Sequence, residues 1–246
     1  MNSTIYRPSL WQQIQTLSPA AYLPLNDNSG STAKNVAGAT DGTYTGGVLR
    51  QKSAIKTVDS DAVDLNGTTD LITLADHAAI QNIWDSLGWI AVWAYIHSDG
   101  GSNQGRIWNK GGDHYHLRTQ GETGGNVLLQ FLIDFDTTDG KWITATDIAI
   151  NTWTFLLLGY DADAVGNDPT LYKGIGNTLT TLTVGAGLTK IQTPVGTRVS
   201  DAADDLTIGN RKSAADRGFD GLLSNFAMGS GTITTAQVQS MFDAGR

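Results

Sequence analysis

The sequence predicts an all-β fold built from antiparallel sheets, and three observations carry that expectation. Short apolar runs recur about every 8–12 residues, each bounded by turn residues, which is the spacing of sandwiches. Gly contributes 29 of 246 residues, and 23 of the 24 acidic residues are Asp, a turn and cap former, against the single Glu122. No strand–helix–strand alternation is visible, and the runs sit too close together for parallel crossovers. One domain of this length buries enough surface to need no staple, and no stretch reads as an interdomain linker.

Taken in order, residues 1–19 read as an arm. Ser9 caps a short helix with Gln12 as its capping-box partner, and Ser18-Pro19 stops it. Leu10, Ile14 and Leu17 fall on one face, widened by Trp11. That stripe either packs on its own domain or docks another subunit. From residue 20 the pattern is strand and turn. The predicted strands are 20–25, 43–48, 62–65, 70–74, 89–97, 106–110, 115–119 and 127–135. The remainder are 141–149, 153–160, 170–173, 179–184, 205–208 and 222–228. Asn66-Gly67, between two of these runs, is a hairpin signal. Phe155-Leu156-Leu157-Leu158 is apolar on both faces and predicts a central strand covered on both sides. In 89–97 the aliphatic Ile90, Val92, Ala94 and Ile96 make a core face. Trp89, Trp93 and Tyr95 make the other face, expected to be buried, bound to ligand or held in an interface. A terminal helix over 235–244 has Thr234 as N-cap, Gln237 as its partner, and Val238, Met241 and Phe242 as its apolar stripe.

Charge and composition exclude several functions. A net charge of −8 gives no basic footprint for nucleic acid or for an anionic membrane surface. With no Cys there is no disulfide framework, Cys-based zinc site or thiol nucleophile. No stretch approaches the about 18 apolar residues of a membrane span. The opening MNSTIYRPSLWQQIQ lacks the basic and apolar regions of a secretory signal.

Five segments in order resemble a known family. They are AAYLPLNDNSGSTAKNVAGATDGTYTG (20–46), AVDLNGTTDLITLAD (62–76) and GWIAVWAYIH (88–97), then NTWTFLLLGYDAD with PTLYKGIG (151–176), and the closing LTIGNR…GFDGLLSNFAMGSGTITTAQVQSMFDAG (206–245). Together they resemble the laminin-G-like, concanavalin A-like lectin–glucanase jelly rolls, in the stand-alone form found in bacteriophage virion proteins. The resemblance implies a jelly-roll domain over 20–246. It also implies a structural calcium, with Asp27 and Asp41 as the remaining ligands. The sequence departs from that pattern at Asn35 and at Ser224-Asn225, where the family carries acids, so the ligand set looks broken and no cofactor is otherwise expected.

For chemistry, Asp113, His114, His116 and Arg118 surround a strand on which the two imidazoles are expected to share a face. They either read a sugar or acidic group or form a plain solvent face; a zinc site would need a third ligand. Trp108 and the Gly-rich segment 98–105 lie at a loop end, the expected ligand region. Hydrolysis has little to work with. Glu122 sits in a Gly-rich turn, and Asp134 and Asp136, which share a strand face at i, i+2, read more as a solvated strand edge than as a catalytic pair. The expected function is therefore non-enzymatic: lectin-like recognition of surface glycans by a capsid-decoration or tail-associated virion protein. It would be a homo-oligomer docked to other virion subunits and released by lysis. The alternatives are a purely structural bracing protein and a polysaccharide-cleaving enzyme.

Overall fold

Alternation along each strand sorts side chains onto two faces, and the described residues build two strand ladders from it. The computed structural model describes residues 8–53, 61–212 and 214–246. The first ladder runs β4 (Leu49–Ser53), β5 (Asp61–Asn66), β18 (Asp220–Ser230), β7 (Leu87–Ile96), β13 (Trp153–Asp161), β14 (Thr170–Ile175) and β15 (Thr178–Val184). β1 (Ala21–Leu23) pairs with the second half of β18, past an irregularity between Ser224 and Ala227. The second ladder runs β2 (Thr32–Ala33), β3 (Gly42–Thr45), β6 (Leu71–Leu74), β17 (Leu206–Ile208), β8 (Arg106–Lys110), β9 (Tyr115–Thr123), β10 (Asn126–Ile133), β11 (Gly140–Thr144) and β16 (Gly187–Gln192). β12 (Ile148–Ala149) also pairs with β10. The ladders are antiparallel except where β15 meets β16, a short parallel pairing of Thr183 with Gly187 and Val184 with Leu188. That junction joins the two ladders along one edge and departs from the all-antiparallel expectation.

Between the ladders lies the main core. Ile90, Val92, Ala94, Ile96, Leu156 and Leu158 enter it from one side, and Trp108, Tyr115, Leu117, Phe131 and Trp142 from the other. The opposite face of β7 and β13 is buried as well. Trp89, Trp93, Phe155 and Leu157 lie in a second apolar layer with Val238, Met241 and Phe242 of α2 (Thr235–Gly245) and Leu10 and Ile14 of α1 (Leu10–Gln15). Trp93 stacks on Phe242 at 5.8 Å between ring centroids. Thus β13 is covered on both sides, and Trp89 and Trp93 on the aromatic face of β7 belong to a second core, while Tyr95 on that face is half-buried. Both helices begin with the expected capping boxes, Ser9 with Gln12 and Thr234 with Gln237.

The docking stripe is corrected here. Leu10, Ile14 and Leu17 pack against this chain's own second layer, and of the four only Trp11, 49% exposed, faces solvent. Asn66-Gly67 is a second correction. It does not close a hairpin, because β5 belongs to the first ladder and β6 to the second. The turn is instead a corner between layers. The Asn66 side chain accepts bonds from Thr68 N and Thr69 N, Gly67 takes φ +71°, and the buried Asp70 carboxylate accepts from Gly47 N and Asn66 N. Local turn chemistry is the same in both cases; the partner strands decide the difference.

Candidate functional site

The sequence candidates do not converge as one patch. Trp108 is fully buried, packing edge-on against Phe226 at 6.3 Å, so it serves the core and cannot meet a ligand. His114 and His116 do not share a strand face, because His114 lies in the turn before β9. Its ring bridges Asp134 (3.1 Å) and Asp204 (3.0 Å). His116, 2% exposed, sits inside the molecule, with Nδ1 3.4 Å from Asp113 Oδ1 and no hydrogen-bond partner on either ring nitrogen among the described residues. Burial, with Arg106 and Arg118 adding to it, pushes its pKa down to about 4 against the pull of Asp113. It is therefore neutral at pH 7.

Around His116 the outer side of the second ladder carries guanidiniums. Arg106 pairs with Arg118 across β8 and β9, and His116 pairs with Asn109. Arg106 Nη2 donates to Asp113 Oδ1 at 3.2 Å, and Arg211 Nη1 lies 3.8 Å from Asp113 Oδ2. Burial raises the Asp113 pKa, but His116, Arg106 and Arg211 outweigh it and hold the group at about 2. Arg211 also grips Asp216 with two bonds, and Arg118 donates to Gln104. The backbone supports this face. Arg106 N donates to Arg217 O at 2.8 Å and Gly101 N to Gly218 O at 2.7 Å. The sequence reading found Asp113, His116 and Arg118 but missed Arg106, Arg211 and Arg217. Arg211 and Arg217 come from a loop, and no periodicity aims a loop.

The proposed calcium ligands are engaged elsewhere. Asp27 accepts from Lys34 N and from Tyr44 Oη, and Asp41 accepts from Lys34 Nζ (2.9 Å) and Asn35 N (2.9 Å). The Lys34 ammonium already faces Asp41, and Asn35 closes the turn with its amide, accepting from Tyr22 N and donating to Thr40 O. The residues do not assemble the six or more oxygens calcium takes, and no group of three His, Cys, Asp or Glu among the described residues is placed to hold a metal. The candidate hydrolytic acids also part company. Asp134 is tied to His114, while Asp136 accepts from Thr197 N. Partial burial raises the Asp134 pKa, with His114 opposing and the neighbouring Asp139 adding to the rise. Glu122 clamps a loop, accepting from Asp99 N while its own N donates to the Asp99 carboxylate.

An open groove of about 340 Å³ lies at the strand ends of the first ladder. Gly159, Leu87, Tyr172, Asp161, Asn167 and Asp168 are among the residues that line it. Asp168 is fixed by Trp142 Nε1 (2.8 Å) and Lys190 Nζ (2.7 Å). A Cβ at Gly159 would meet only Gly88 O, at 3.9 Å, so there is open space above this glycine. No sequence motif announces this groove, because its residues come from three strands and two loops.

Neither a protein-family model nor a curated protein sequence matches the chain. Solved structures do. The binding domain of Paraclostridial Mosquitocidal Protein 1 aligns over 92% of this chain with a TM-score of 0.62 and 15% identity. The receptor-binding domain of botulinum neurotoxin mosaic serotype C/D aligns over 92% with a TM-score of 0.61 and 13% identity. The binding domain of botulinum neurotoxin DC in complex with SialylT aligns over 93% with a TM-score of 0.60 and 11% identity. The chain spans about half the length of each, 50–52%. At such identities the likeness establishes a fold, the mostly β sandwich of these binding domains.

Proposed function

We propose that this chain is a non-enzymatic recognition module that binds glycans in its strand-end groove, its two ladders wound as a jelly roll. The observation that carries the reading is the groove itself. Its lining combines Gly159, the side chains of Leu87 and Tyr172, and the carboxylates and amide of Asp161, Asp168 and Asn167, the mix of apolar contact and acceptors that a sugar ring takes. The likeness to toxin binding domains supports it, since one of those is recorded in complex with SialylT and another concerns interaction with ganglioside molecules. For its setting we propose a virion, as a capsid-decoration or tail-associated subunit; the support is the resemblance of its strand and turn segments to such proteins.

The test is retention on a panel of immobilised glycans, compared with Gly159→Val. A β-branched residue suits a central strand, and the space above Gly159 is open, so the variant is expected to fold with an unchanged Tm while losing at least tenfold in glycan affinity. The absence of any retained glycan at high protein concentration overturns the reading, and so does equal binding by the variant. Release of reducing ends from a retained glucan would make the protein an enzyme instead.

A further inference from the structure

Four guanidiniums, those of Arg106, Arg118, Arg211 and Arg217, gather on the outer side of the second ladder against two carboxylates, Asp113 and Asp216. This is a local excess of cations in a chain whose net charge is −8. The imbalance is structural rather than superficial. Arg106 is only 3% exposed and its Nε and Nη1 have no hydrogen-bond partner among the described residues. Arg118 Nε, Arg217 Nε, Asn109 Oδ1 and both His116 ring nitrogens are likewise buried and unpartnered there. More than half of the buried orphan side-chain atoms among the described residues thus fall in this one place. Buried guanidinium donors without acceptors are costly, and a fold keeps them together where something else supplies the acceptors. Arg106 feels the crowding directly: burial, with Arg118 and Arg217 adding to it, brings its pKa down to about 10 despite Asp113. Access is available, since the Arg211 and Arg217 side chains remain 24% exposed and Asp113 32%.

We propose that this cluster is an oxyanion-binding site, separate from the groove, taking a carboxylate or sulfate group through Arg106, Arg118 and Arg217. Asp113 now supplies the acceptor that a ligand would share or displace, accepting from Arg106 and lying near His116 and Arg211. Guanidinium forks match such groups with paired bonds. Neutral His116 contributes a ring N–H without adding charge. On a glycan-binding protein this chemistry selects acidic sugars or sulfated ones. That extension rests on the glycan reading, whereas oxyanion binding itself does not.

The experiment is calorimetric titration of the full chain with sodium sulfate, sodium glucuronate and glucose, at ionic strength held constant with chloride. Saturable binding of sulfate or glucuronate, and none of glucose at this site, is expected. Binding of glucuronate alone assigns the site to carboxylates, and of sulfate alone to sulfate groups. Arg118→Gln and Arg217→Gln should each weaken binding about tenfold or more, as loss of one charge-assisted bond does. Asp113→Asn is tolerated at φ +99°, and it should tighten binding several-fold by removing the internal competitor. Gly159→Val should leave the anion isotherm unchanged, which separates failure of this site from failure of the groove. The proposal is overturned if neither anion binds saturably. It is equally overturned if folded Arg118→Gln and Arg217→Gln bind like the parent, or if Asp113→Asn, folded, binds more weakly.

Discussion

His116 shows what burial does to a single titratable side chain. Its pKa falls from 6.5 in the unfolded chain to about 4 in the folded one. A folded state that resists the proton is penalised once the unfolded state begins to take it up. Stability is therefore full above pH 6.5 and declines as pH falls toward 4, by on the order of 3 kcal/mol in total. Urea unfolding of the parent and of His116→Asn, followed from pH 7 to pH 4, should show that slope in the parent and a flatter curve in the variant. Parallel curves would refute the assignment. Lys110 is the complementary case. It is fully buried, with Nζ 3.1 Å from Ile80 O and 4.0 Å from both Asp76 and Asp201, and Asp201 is itself fully buried. Lys110→Ala should cost about 2–5 kcal/mol, because it empties a fully buried position and takes one of two cations from Asp201, to which Asn82 N and Arg198 Nη1 still donate. A loss under 1 kcal/mol in chemical denaturation would contradict this. Neither residue was legible in the sequence as buried. His116 stands in a strand of alternating text that reads as solvent-facing. It is covered only because loops distant in the chain fold over that face, and periodicity carries no information about such cover.

Elements were far more legible, and the reason is physical. Capping boxes and the two-faced apolar run of β13 are local patterns, set within a few residues, and they appear where the sequence placed them. The sequence does not announce β2, β4 or β16: β2 is two residues long, and β16 carries a single buried residue, Leu188, so it leaves no periodic signal. Asn66-Gly67 signals a turn, which the chain makes, and a hairpin, which it does not. Turn residues specify a reversal of the chain, whereas the sheet joined afterwards depends on partners elsewhere. Close packing of loops is similarly silent. Gly218 has an ordinary φ, yet a Cβ there would run into the backbone of Gly67 and Thr68, and Gly101 and Gly105 lie against it too. These loops support the arginine face through Arg106 N and Arg217 O. Gly218→Ala should therefore destabilise by about 1–3 kcal/mol, as overpacking does. It should also weaken anion binding more than glycan binding in the groove. Thermal melts and the two titrations check both halves.

At the scale of the whole molecule, the second apolar layer decides what the N-terminal segment is for. Sequence alone leaves an amphipathic helix free to serve either its own sheet or another subunit, because an apolar stripe does not name its partner. Here Trp89, Trp93 and Phe155, residues too large and too apolar to leave to solvent, share one buried apolar layer with residues of both α2 and α1. Within it Leu10 is 6% and Ile14 1% exposed. The helix is consequently part of the fold's stability. Ile14→Ala should cost about 2–5 kcal/mol, the range for emptying a buried aliphatic position. Removing the chain through Leu17 should lower Tm further and bare an aromatic patch that drives self-association, since large exposed apolar patches seek partners. A detachable docking arm predicts the reverse: an unchanged melting temperature and loss of assembly. Differential scanning calorimetry and light scattering of the truncated and Ile14→Ala proteins discriminate the two. An unshifted Tm in both variants would show that α1 contributes nothing to the core it covers.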